Sequence, residues 1–86
     1  MPEEIDIVIG RRLRTRRRLL NLTQLQLAQA GGFGFQLVHK YESGICRISA
    51  SRLWELSQIL GVGVGYFYEG MLPPAPPADA LTAARL

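Results

Sequence analysis

Nine cationic side chains, Arg11, Arg12, Arg14, Arg16, Arg17, Arg18, Lys40, Arg47 and Arg52, fall within residues 11–52, where Glu42 is the lone carboxylate. Nine cations against one acid leave a local excess of eight on a chain whose overall charge is only +3. Such a segment suits a polyanion, either a nucleic acid or an anionic membrane surface. Within it, Gln36 and Lys40 stand four residues apart. A glutamine amide can donate to and accept from adenine at once, and a lysine ammonium can donate to guanine or to phosphate. Leu37 suits contact with a thymine methyl, and His39 adds a ring N–H donor. Other chemistry is poorly supplied. One histidine and one cysteine cannot assemble a four-ligand zinc centre. No nucleophile stands with a base and no carboxylates pair for acid–base work, so no enzyme, metal or cofactor is expected. Cys46 would need an activated, accessible thiol to act as a redox switch, and an inert thiol is the expectation.

The glycine-rich stretch from Gly31 to Gly34 raises the question of a phosphate loop. A dinucleotide fingerprint needs a third glycine where Leu37 stands, and the second candidate, Gly61-Val62-Gly63-Val64-Gly65, also lacks its third position. No G-K-[ST] occurs in the chain. The alternative is a tight turn between two short helices, the geometry of a helix-turn-helix whose second helix enters a DNA major groove.

The elements that must position these side chains are legible as helices. Residues 5–20 put Ile5, Ile9, Leu13 and Leu20 near one side at helical spacing, with acids at the start and arginines in the later half, matching the helix dipole. Gly10 counts against this helix by roughly 1 kcal/mol relative to alanine. Thr23 and Gln26 have the capping-box spacing, so a second helix spans about residues 24–30 and ends at the paired glycines. A third runs over about residues 34–43, where Phe35, Val38 and Tyr41 give an inward stripe and Gly44 stops it. Ser49 caps a fourth, with Leu53, Leu56 and Leu60 inward and Gly61 following. Residues 62–70 suit one more helical turn. The prolines from Pro73 to Pro77 cannot continue a helix, which divides the chain into a domain of residues 1–71 and a Pro/Ala-rich linker and tail of residues 72–86.

Residues 9–70 resemble the Cro/repressor-type, or XRE-like, helix-turn-helix regulators. The resemblance rests on Leu13-Arg14-x-x-Arg17, Leu22-Thr23-Gln24-x-x-Leu27-Ala28, Gly32, Val38-x-Lys40-Tyr41-Glu42-x-Gly44, Arg47-Ile48-Ser49, the leucines Leu53, Leu56 and Leu60, and Tyr66-Phe67-Tyr68-Glu69. It implies an all-α, compact five-helix lambda-repressor-like domain that binds double-stranded operator DNA as a bacterial or phage transcriptional regulator, with repression expected ahead of activation. It also implies a buried ion pair between Arg17 and Glu42. Periodicity alone leaves Arg16 and Arg17 at comparable angles to the apolar stripe. By position, Gln36, Leu37, His39 and Lys40 are expected at base edges, and Thr23, Gln24, Arg47 and Arg14 at phosphates. Phe35 can lie against the groove edge or prop the turn from within, and packing is favoured. The chain departs from the family pattern at Gly34, where Ser or Thr is common, and at Gly31, which replaces a usual large apolar residue.

At 86 residues one domain fits, and a core this small makes self-association a standing expectation. Related proteins usually bind as two-fold dimers, with Trp54, Tyr66, Phe67 and the tail as candidate contacts; Phe67 is expected in the core. The lone cysteine, the lack of a leader and the absence of any apolar run near 20 residues point to a cytoplasmic setting with no membrane association. Two rival readings use the same fold: an antitoxin whose tail binds a second protein, and a module that binds protein alone.

Overall fold

Helix α1 (Glu4–Leu19) carries Glu4 and Asp6 in its first turn and Arg16, Arg17 and Arg18 in its last, so both ends complement the macrodipole. Asn21 ends it in the left-handed region at φ 58°, a conformation asparagine tolerates better than most residues. The computed structural model describes residues 3–71. After α1 come α2 (Gln24–Gly31), α3 (Phe35–Ser43), α4 (Ala50–Leu60) and a 3-10 segment (Val64–Tyr68). Four α-helices are therefore present among the described residues, and the expected fifth is a short 3-10 element. It is only five residues long, with Gly65 inside it and Val64, Tyr66, Phe67 and Tyr68 as β-branched or aromatic neighbours, a composition that does not propagate an α-helix. The linker and tail, residues 72–86, lie outside the described residues.

The caps form as the sequence predicts. Thr23 Oγ1 accepts from the Gln26 amide at 3.0 Å while Gln26 Oε1 accepts from the Thr23 amide at 2.9 Å, and Ser49 Oγ accepts from the Arg52 amide at 3.1 Å. Each cap holds about 1 kcal/mol of helix stability.

The core joins Ile9 and Leu13 of α1, Leu27 and Ala28 of α2, Val38 and Tyr41 of α3, Leu53, Leu56 and Leu60 of α4, and Phe67 of the 3-10 segment. Complete burial of a leucine or phenylalanine contributes about 1.5–3 kcal/mol. Ile5 and Leu20, placed on the inward stripe by spacing, are exposed. Ile5 sits in the first turn of α1 and Leu20 just past its last, beyond the elements that cover Ile9 and Leu13.

Gly10 turns from a defect into a requirement. A Cβ there would strike the carbonyl oxygens of Tyr41 and Glu42, the latter at 2.7 Å, so α1 crosses α3 with its backbone nearly touching. The helix-turn-helix is closed by a different device. Gly32 ends α2 at φ 76°, and the Phe33 ring folds back into the space a side chain on Gly31 would take. That ring packs edge-on against Tyr41, with centroids 6.4 Å apart, and the Arg52 guanidinium covers it at 4.2 Å. Phe33 supplies the bulk that Gly31 lacks.

Candidate nucleic-acid interface

At 100° per residue, Val38, Tyr41 and Glu42 of α3 point inward, and Gln36, His39, Lys40 and Ser43 form the opposite arc. Burial agrees, since the first three are buried and the last four exposed. The N-terminal end of this arc is open. Gly34 is the N-cap and offers no side-chain hydrogen bond, and the Gln36 amide oxygen lies 3.4 Å from where a Cβ on Gly34 would stand.

From beneath, α3 is braced by an ionic clasp. Arg17 and Glu42 are each 8% exposed. Arg17 Nε donates to Glu42 Oε2 at 2.6 Å and Nη2 to Oε1 at 3.0 Å, a bidentate pairing. Two further bonds join the pair, for Arg17 Nη1 donates to the Leu22 carbonyl at 2.7 Å and Gln24 Nε2 donates to Glu42 Oε1 at 3.1 Å. Four chain segments thus meet at one carboxylate–guanidinium pair: α1, the α1–α2 connection, the start of α2 and the end of α3.

Over the clasp lies a cleft of about 330 Å³, lined by Arg14, Arg17, Arg18, Gln24, His39, Glu42 and Ser43. Arg14 and Arg18 reach it from α1, Gln24 from the first turn of α2, and His39 and Ser43 from α3. With Arg17 neutralised by Glu42, the cations left over are Arg14 and Arg18, both exposed. A cleft with surplus positive charge beside a helix N-terminus is suited to a phosphate.

The arginines of α1 divide into two groups. Arg12 donates from Nε to the Tyr66 carbonyl at 3.1 Å, pairs through Nη2 with Glu69 at 2.6 Å and lies over the Tyr66 ring at 4.0 Å. Arg16 donates to the Leu60 carbonyl at the end of α4 at 2.9 Å. Together with Arg17 these serve the fold, while Arg11, Arg14 and Arg18 remain on the surface.

Several expected site residues land differently. Leu37 is half-buried and packs against the core. Phe35, expected to pack, is 46% exposed. The inward stripe therefore starts at Val38. Gln24 faces the clasp and spends one amide N–H on Glu42. Thr23 is exposed with its hydroxyl oxygen accepting in the capping box. The Arg47 side chain is 73% exposed and meets Asp6, whose own side chain is 10% exposed, at 3.4 Å. Cys46 is half-buried against the core. Phe67 is fully buried, Tyr66 lies beneath Arg12, and Trp54 is 59% exposed. Ser43 was not singled out by residue type, although its spacing from Gln36 and His39 puts it on their arc. Among the described residues no group of three or more His, Cys, Asp or Glu could hold a metal, and no helix is long and apolar enough to cross a membrane.

Comparison with known proteins gives a consistent result. A family model described as helix-turn-helix matches residues 13–67. An uncharacterized HTH-type transcriptional regulator of Sinorhizobium medicae is 47% identical over 68 residues, covering 79% of this chain and 49% of that protein. An uncharacterized transcriptional regulator in the ATPase CF(0) region of Rhodospirillum rubrum is 42% identical over 77 residues, or 90% of this chain and 71% of that one. The chain spans about half the length of the first curated relatives it matches. Among solved structures, the restriction-modification controller protein C.AhdI of Aeromonas hydrophila superposes with a TM-score of 0.69 at 26% identity, covering 72% of this chain and 94% of that one.

Proposed function

Because this chain belongs to the helix-turn-helix family, we propose that it binds double-stranded DNA sequence-specifically through α3 and acts as a transcriptional regulator. The observation that carries the reading is the arc of Gln36 and Lys40, turned outward on a helix whose opposite side is clasped to the rest of the domain. Gln36 addresses adenine and Lys40 guanine or an adjacent phosphate. Arg14, Arg18 and His39 serve the backbone from the cleft, joined by Thr23, the second N–H of the Gln24 amide and Arg47. Contacts of this second kind fix register without reading sequence. His39, expected at a base edge, sits better here, on the α1 side of the arc. Leu37, half-buried, contributes less to the groove than its position suggested.

A domain seated in a groove excludes other proteins from the same stretch of duplex, and repression by occupancy is proposed ahead of activation. A two-fold dimer would place two copies of α3 about 34 Å apart on the duplex, and exposed Trp54 is the leading described candidate for that contact. The reading includes a cytoplasmic location, which the lack of a membrane-spanning helix among the described residues supports.

The test is selection of bound duplexes from a random pool with the full chain, repeated with Gln36→Ala and Lys40→Ala. Enrichment of one motif, altered at one or two positions by Gln36→Ala, supports direct readout. Uniform weakening by both variants would reassign the two residues to phosphates. No enrichment, with binding insensitive to salt, would refute the proposal and leave a protein-binding module.

A further inference from the structure

Phe35 stands at the first position of α3 with nearly half its surface open. Its apolar helix-mates are occupied: Val38 and Tyr41 are buried and Leu37 packs against the core. The aromatic and cation–π contacts of this region go to Phe33 instead, through Tyr41 and Arg52. Isolated exposed apolar side chains are common on protein surfaces, so exposure alone decides nothing. Position does, because the first turn of a recognition helix is the part that approaches base edges. The polar members of the outward arc match donors and acceptors, and none of them matches the one apolar feature of the major-groove edge, the pyrimidine 5-methyl group.

On the reading that α3 enters the major groove, we infer that Phe35 is a specificity-determining residue whose ring covers a pyrimidine 5-methyl group in the base step beside the one read by Gln36. The methyl belongs either to thymine or to 5-methylcytosine. Covering one such group changes affinity about three- to fivefold.

The experiment uses the full chain and the duplex enriched by selection. Each thymine is replaced singly by deoxyuridine, which removes only the methyl, and each cytosine singly by 5-methylcytosine. The wild-type protein is expected to lose about three- to fivefold affinity at one or two thymines, or to gain as much at one cytosine, which separates the two sources. With Phe35→Ala the same replacements should change affinity by less than about 1.5-fold, while the melting temperature stays within a few degrees of wild type. Leu37→Ala should do the reverse, lowering the melting temperature and keeping the methyl response. An equal methyl response in wild type and Phe35→Ala, or no response at any position, would overturn the assignment. Failure to enrich any duplex, with binding insensitive to salt, would instead overturn the DNA-binding proposal, so the two failures are separable.

Discussion

Glu42→Gln tests the clasp with the smallest change in shape. The substitution removes the negative charge and one acceptor oxygen while the Arg17 guanidinium stays 8% exposed with its positive charge unmatched. The bidentate contacts at 2.6 and 3.0 Å lose their charge assistance, and the hydrogen bond from Gln24 to Oε1 must be rebuilt. Breaking a buried pair from one side costs about 3–5 kcal/mol, chiefly through the uncompensated charge. For a domain of this size each kcal/mol shifts the melting temperature by about 4–8 °C, so the midpoint should fall by at least about 12 °C. Thermal and urea unfolding of the full chain, followed by circular dichroism, would measure it. The cycle is completed with Arg17→Met and the double variant. Replacing both partners removes the stranded charge, and the double variant should be clearly more stable than Glu42→Gln. A fall of less than about 3 °C for Glu42→Gln, or a double variant as unstable as the two single losses added, would show that the clasp does not brace α3.

Gly10→Ala forces a methyl against backbone carbonyls that cannot rotate away, and should cost at least about 2 kcal/mol, seen as a lower urea midpoint. Phe33→Ala should cost about 2 kcal/mol through the lost ring contacts with Tyr41 and Arg52. Gly31→Val should destabilise the wild type yet restore stability in a Phe33→Ala background, and a loss in both would show that the two positions do not share one space. Arg14→Ala and Arg18→Ala should each lower the slope of log affinity against log salt by about 0.9, with stability changed by less than about 0.5 kcal/mol. An unchanged slope would remove that arginine from the phosphate contacts.

Features governed by near neighbours in the chain were legible from residue order. The Thr23–Gln26 capping box, the Ser49 cap and the leucines of α4 follow from helix geometry over three or four residues, and all are present. The Arg17–Glu42 pair required more. Helical angle left Arg16 and Arg17 equivalent, and what separates them is the neighbour each one meets, the end of α4 for Arg16 and the end of α3 for Arg17. Resemblance to a family supplied that knowledge; periodicity could not. Arg12 was hidden for a similar reason, since its partners Tyr66 and Glu69 lie more than fifty positions along the chain. Phe35 shows the opposite limit. Spacing assigned it inward, yet the buried stripe of α3 begins at Val38 and Phe35 stands outside it. Gly10 looked like a weakness because a local propensity cannot register a carbonyl from another helix.

The near-contact of α1 and α3 at Gly10 makes these two helices a single chassis. Arg12 ties that chassis to the 3-10 segment and the residue after it, donating to the Tyr66 carbonyl and to Glu69 and stacking on the Tyr66 ring. A pull on the 3-10 segment is therefore felt first by α1 and, through the close approach at Gly10, by α3 as well.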